Sequence, residues 1–196
     1  VVGEAADINL SLAFEVLDYA LLSAPGAPLK QALLDAKIGK DIYGSFEDGI
    51  KQTYFSIVAK GANLSQKEEF VKVIRDTLTK IMEEGIDKKA VTAGINYYEF
   101  RFREADFSSY PKGLMYGLWS MDSWLYDGDP MMHLCYQETF DFLKKAVDEG
   151  YFEQLIKDYL LDNPFEAVIT VKPKKNMTAE EDAALAKKLA EKKAGL

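Results

Sequence analysis

Apolar residues recur along this chain with helical spacing far more often than with the two-residue spacing of strands. In "DINLSLAFEVLDYALLS", residues 7–23, Leu10, Phe14, Leu17 and Leu21 share one helical face, which predicts an amphipathic helix with that face buried. The following "APGAP" ends it, because two prolines and a glycine cannot continue a helical ladder. Pro28 suits the first turn of a short second helix, "PLKQALLDA", with Gly39 beyond it as a stop. "KDIYGSFEDG" and "KQTYFSIVAKGA" are rich in β-branched and aromatic residues and are separated by Asp48-Gly49, the signature of a β-hairpin. Residues 1–3 read as the end of a strand.

A run of helices follows. Ser65 and Glu68 have the spacing of a capping box, ahead of a stripe made by Phe70, Ile74, Leu78 and Ile81 and closed by Gly85. Asp87 can cap another helix reaching about Asp106. Its "YYEFRFREADF" alternates aromatic and charged residues as a strand would, but Ala90, Ile95, Tyr98 and Phe102 continue a helical run, so a helix is predicted. Residues 110–126 carry Leu114, Met115, Leu118, Trp119, Met121, Trp124, Leu125 and Tyr126; a helix this apolar should be buried on more than one side. Two shorter helices are expected over 136–149 and 151–161, punctuated by Gly150 and ended before Asn163-Pro164. "FEAVITVKP" then alternates, with Ala167, Ile169 and Val171 opposite Val168, Thr170 and Lys172, which predicts a strand. Thr178 and Glu181 have capping-box spacing at the start of a last helix, polar on most faces.

The order strand, helix, hairpin, helices, strand, helix has no βαβ rhythm. It predicts an α+β fold, a mixed or antiparallel sheet with helices packed on one face. Residues 1–172 are expected to form one α+β domain, and 173–196 the start of a helical linker or hairpin. The chain opens on "VVGEAAD", without methionine and inside a strand, which reads as a processed or excised piece of something longer.

Charge narrows the partners. Twenty-four basic against thirty-two acidic side chains give −8, which repels a phosphate backbone and argues against nucleic acid. From Lys172 onward seven lysines face four carboxylates, a local +3, so the remainder carries −11. An acidic body attracts cationic peptides at long range. One cysteine among 196 residues excludes an internal disulfide framework. No window of 18 unbroken apolar residues is present, so no membrane-spanning helix is predicted.

Candidate chemistry is sparse. His133 and Cys135 are the single histidine and cysteine, two residues apart in "MMHLC". Zinc needs three or four ligands, and a Cys–His nucleophile pair needs side chains that touch, whereas positions i and i+2 of a helix diverge. Both are therefore expected to fill core or near-core space. Phosphate-binding glycine loops and the G-x-S-x-G elbow are missing from the sequence. Phe100-Arg101-Phe102-Arg103 reads as a packed face with exposed arginines rather than a base-stacking platform.

Three long collinear stretches carry a resemblance: "FEVLDYALLSAPGAPLKQALLDAKIGKDI", "NYYEFRFREADFSSYPKGLMYGLWSMDSWLYDGDP" and "TVKPKKNMTAEEDAALAKKLAEKKA". Together they resemble the presequence protease-like members of the pitrilysin/insulinase group of zinc peptidases. The resemblance implies four related α+β domains closing around a peptide-filled chamber, with zinc held in the first domain by an inverted H-x-x-E-H motif. This chain is similar to the second, non-catalytic domain. Its early helix carries leucine, phenylalanine, valine and tyrosine where the zinc domain has histidines. Glu99 or Glu104 falls where the third zinc ligand lies, and without the histidines each is expected to pair with Arg101 or Arg103 or to be solvated.

No catalytic residue, metal ligand or cofactor is therefore expected within the chain, with zinc belonging to the parent enzyme. The expected interdomain or chamber face is Leu114, Met115, Leu118, Trp119, Trp124 and Tyr126. Implied partners are the other domains of the same peptidase and its peptide substrates, with self-association of the isolated piece through any exposed part of that face. The implied location is cytoplasmic for a bacterial parent and an organelle matrix for a eukaryotic one. The rival readings are a stand-alone acidic module binding basic peptides, and a hydrolase using His133.

Overall fold

The computed structural model describes residues 1–105 and 107–195. Its elements are β1 (Gly3–Glu4), α1 (Ile8–Asp18), α2 (Pro28–Asp35), β2 (Asp41–Glu47), β3 (Gln52–Lys60), α3 (Lys67–Glu84), α4 (Lys88–Glu104), α5 (Lys112–Trp124), α6 (Gln137–Ala146), α7 (Tyr151–Leu155) and α8 (Met177–Ala194). Two compact units are present, Val1–Glu166 and the residues from Ala167 onward.

The hairpin expected around Asp48-Gly49 forms, and its two strands pair in antiparallel register from Asp41↔Lys60 to Glu47↔Tyr54. β1 joins the far side of β3, so the sheet is wholly antiparallel in the order β1-β3-β2. Alternation assigns its faces. Ile42 and Phe46 are buried, and Phe55, Ile57 and Ala59 pack beside them against the core. Tyr43 and Tyr54 point the other way and are exposed. Helices thus cover one face, as the α+β reading requires.

α1 is the centre of the first unit. The side chain of Asp7 caps it, accepting from the Leu10 amide at 3.0 Å. The expected single buried face is too narrow: Leu12, Ala13, Val16, Ala20 and Leu22 are buried along with Leu10, Phe14, Leu17 and Leu21. The ring of Phe14 lies 5.5 Å from that of Phe46, 6.0 Å from Phe55 and 5.8 Å from Tyr159. The ladder widens to π-helical form over Tyr19–Ser23 before the "APGAP" break, and Pro28 opens α2 as expected. Gly44 lets α1 approach the sheet. A Cβ there would collide with Leu22 and sit 2.5 Å from Asp18 Oδ1.

Several local signals resolve differently from their spacing. The box before α3 is made by Asn63 and Gln66, not Ser65 and Glu68, because a 3-10 turn at Leu64–Gln66 precedes the helix. Asp87 caps α4 as expected, accepting from Lys89 and Ala90. "YYEFRFRE" is helical, and α4 runs to Glu104; its expected end near Asp106 lies outside the described residues. α7 continues in π-helical form over Ile156–Leu161.

The second unit corrects two expectations. Residues 165–173 form no strand: none of them occupies a ladder, and Ile169 and Val171 are 83% and 89% exposed. Alternation prescribes which side chains share a face, but a strand exists only when a neighbour accepts its backbone bonds. α8 begins at Met177 behind Asn176 in the left-handed region, with no side-chain cap, so Thr178 and Glu181 do not form the box their spacing suggests. Every residue of α8 with a described side chain is exposed.

Candidate functional site

His133 lies on a 3-10 turn, Met132–Leu134, between α5 and α6. It is buried, hydrogen-bonded to the backbone of Ala5, with its Nε2 unpartnered. Burial lowers its pKa, against an opposing pull from Asp48. Cys135 is exposed, which corrects the expectation that both residues are packing groups. The turn points the imidazole inward and leaves the thiol outside.

A group of carboxyls went unnoticed in the sequence. Glu15 and Asp18 stand three residues apart on α1, and Asp48 and Asp122 come from the hairpin turn and α5. Burial pushes Glu15 up to about 7; Asp48 and Asp18 add to the rise, while the hydrogen bond from Tyr98 and the charge of Arg101 oppose it. Burial also raises Asp18, whose Oδ2 accepts from the Ser23 hydroxyl at 3.2 Å and whose Oδ1 has no partner. Asp122 is pushed up to about 6 by burial and then by Asp48. Asp48 is itself raised by burial, with its backbone hydrogen bond and His133 opposing. The available signal was two acids inside the apolar run "LAFEVLDYALL", where a charge must find a partner or a proton.

The donor set does not fit a zinc ion. α1 offers no imidazole, His133 lies on another segment, and among the described residues no three His, Cys, Asp or Glu side chains converge as ligands. Glu99 is occupied otherwise. Arg103 donates to its Oε1 at 2.9 Å and Lys144 Nζ lies 2.7 Å from Oε2. The expected pairing with Arg103 is present, and Lys144 of α6 adds a second cation. Arg101 instead lies over the ring of Tyr97, 5.6 Å from its centroid, and Glu104 is exposed.

α5 divides the six predicted face residues into two sets. Met115, Trp119 and Tyr126 are half-buried on the inner side. Trp119 stacks on Phe102 at 4.7 Å, and Phe102 in turn meets Tyr136 at 5.1 Å and Phe140 at 5.7 Å. Leu114, Leu118 and Trp124 lie on the outer side at 51%, 51% and 59% exposure, joined by Met121 and Leu125. The expectation of burial on more than one side is therefore not met within this chain. One side packs on Phe102 of α4 and on Phe107, and the other is bare.

This α+β unit, with a helix-covered antiparallel sheet and no metal donors converging among its described residues, has similar counterparts. Residues 2–98 match the family described as "Peptidase M16 inactive domain". The chain is 46% identical over 191 residues to "Protein HypA" of Clostridium perfringens, spanning 97% of this chain and 20% of that protein. It is 34% identical over 181 residues to "Presequence protease 1, chloroplastic/mitochondrial" of Arabidopsis thaliana, covering 90% of this chain and 17% of the relative. The inactive peptidase domain of a putative zinc protease from Bordetella parapertussis shares the fold, with a TM-score of 0.61 over 89% of both chains at 12% identity.

Over these spans the chain is similar to the inactive domains of M16 peptidases, and the likeness to presequence proteases read from the three collinear stretches is borne out. The chain spans about a fifth of the length of its curated relatives. Among the described residues no helix is long and apolar enough to cross a membrane.

Proposed function

We propose that this chain is a wall domain of a larger zinc-dependent peptidase, whose zinc and general base lie in another domain of the same polypeptide. In that reading its work is to help enclose the peptide-filled chamber and to seat the neighbouring domains. The observation that carries it is the bare outer side of α5, where Leu114, Leu118 and Trp124 are exposed while Trp119 beneath them is locked into an aromatic stack. An apolar face held rigid from below and uncovered from above is suited to a permanent neighbour. The lengths of the relatives supply candidates for it, since four-fifths of their sequence lies outside the aligned stretch.

The test uses the full-length polypeptide carrying Leu118→Glu with Trp124→Ser. A charge on the docking face should lower peptide hydrolysis by about tenfold or more, equivalent to roughly 1.4 kcal/mol, while bound zinc stays stoichiometric. His133→Ala in the same background should leave both zinc content and hydrolysis unchanged. Unaltered hydrolysis in the double variant, or zinc lost with His133→Ala, would overturn the reading.

A further inference from the structure

Residues 167–172 have the sequence of a buried strand and the surroundings of an unpaired one. Ala167, Ile169 and Val171 alternate with Val168, Thr170 and Lys172, a pattern rich in the β-branched residues that favour a pleated, half-buried setting. Among the described residues these six lie in no helix or strand and take part in no hydrogen bond or ion pair. Ile169 and Val171 are the two most exposed large apolar side chains described. The chain is well anchored immediately before this stretch. The Val1 amine donates to the Phe165 carbonyl at 3.0 Å, Asn163 bonds the Val1 carbonyl, and Glu166 pairs with Arg75 at 2.7 Å.

We propose that residues 167–172 are a strand completed by backbone pairing with an extended segment of the same polypeptide lying outside these 196 residues. This inference rests on the reading of the chain as one domain of a longer enzyme. An isolated segment of this composition gains nothing from remaining extended in water, whereas addition to a sheet satisfies its amides and removes Ile169 and Val171 from solvent together. The occupant follows from length. The curated relatives are about five times as long as the aligned stretch, so a covalently attached strand is present at high effective concentration and needs no second molecule. Pro173 marks the end of the pairing run, because it has no amide to donate.

Amide hydrogen exchange on the full-length polypeptide and on the 196-residue chain tests it. In the 196-residue chain the amides of 167–172 should exchange as in an unfolded peptide at every protein concentration. In the full-length protein they should slow by about 100-fold or more. Thr170→Pro should abolish that slowing, and Thr170→Val should preserve it. If Thr170→Pro prevents folding, Ile169→Asp takes its place and should reduce the slowing. Fast exchange in the full-length protein overturns the proposal. So does slow exchange in the 196-residue chain, whether concentration-independent, which would mean pairing within the chain, or concentration-dependent, which would mean a second copy. Exchange is read whether or not the protein hydrolyses peptides. An active protein with fast exchange removes this inference alone, and a protected but zinc-free protein removes only the peptidase reading.

Discussion

Glu15 sits on α1 between the buried residues Phe14 and Val16, and its carboxyl is pushed up to about 7 by that burial. The folded protein therefore holds a proton there that the unfolded chain releases near 4.5. Where the native state binds more protons, stability falls as pH rises. The favourable contribution is complete below about 4.5 and is lost on passing through about 7. Above that, ionising the buried acid costs up to about 3 kcal/mol. Asp18, Asp48 and Asp122 add the same sign. His133 opposes them: its lowered pKa gives stability present above the ordinary imidazole value and lost as pH falls. Glu15→Gln keeps an acceptor for Tyr98 without a charge. Urea titrations at pH 5 and pH 8 should show the variant close to the parent protein at pH 5 and more stable by about 1–3 kcal/mol at pH 8. A variant no more stable than the parent at pH 8 would mean that the carboxyl is solvated when ionised.

At the scale of elements, packing space decides what a glycine is for. Gly44 on β2 is where Leu22 and Asp18 of the α1 segment press on the sheet, with the Ser56 carbonyl 3.0 Å from where a Cβ would be. Gly117 on α5 faces nothing within 4 Å. Gly44→Ala should therefore cost about 1–3 kcal/mol by forcing α1 off the sheet, and Gly117→Ala should gain about 0.5–1 kcal/mol of helix stability. Denaturant melts of the two variants check this, and equal effects would show that the close approach at Gly44 is not maintained. The same distinction explains what was legible in the sequence. Helices α1 to α7 and the hairpin follow from local periodicity and turn residues, since their hydrogen bonds close within the element or with its sequence neighbour. The strand expected over 165–173 does not form because alternation fixes only which side chains share a face, whereas a strand needs a neighbouring backbone to accept its bonds. The bareness of α5 and the exposure of Cys135 were hidden for a related reason: composition tells how apolar a helix is, while only the neighbours decide whether it is covered. The acid group was hidden because only the fold brings Asp48 of the hairpin turn near both Glu15 of α1 and Asp122 of α5.

Across the whole molecule, core and charge divide at the same place. Each core residue and each apolar residue packed against the core lies between Val2 and Leu161. No residue from Ala167 onward with a described side chain is buried. The seven lysines and four carboxylates from Lys172 onward make that part +3, while the first unit carries −11. Hydrophobic burial dominates folding stability, and exposed ion pairs such as Lys187–Glu191 contribute little. A chain ending at Glu166 retains the Arg75–Glu166 pair and the Val1–Phe165 hydrogen bond. Its unfolding free energy should therefore match that of the 196-residue chain within about 0.5 kcal/mol, with the same urea slope for the core transition. A loss of several kcal/mol would mean that the positive segment stabilises the acidic unit through long-range attraction, and 0.5 M salt would then reduce the difference by screening. Equal stability at both salt concentrations would leave the C-terminal unit dispensable for folding of the first.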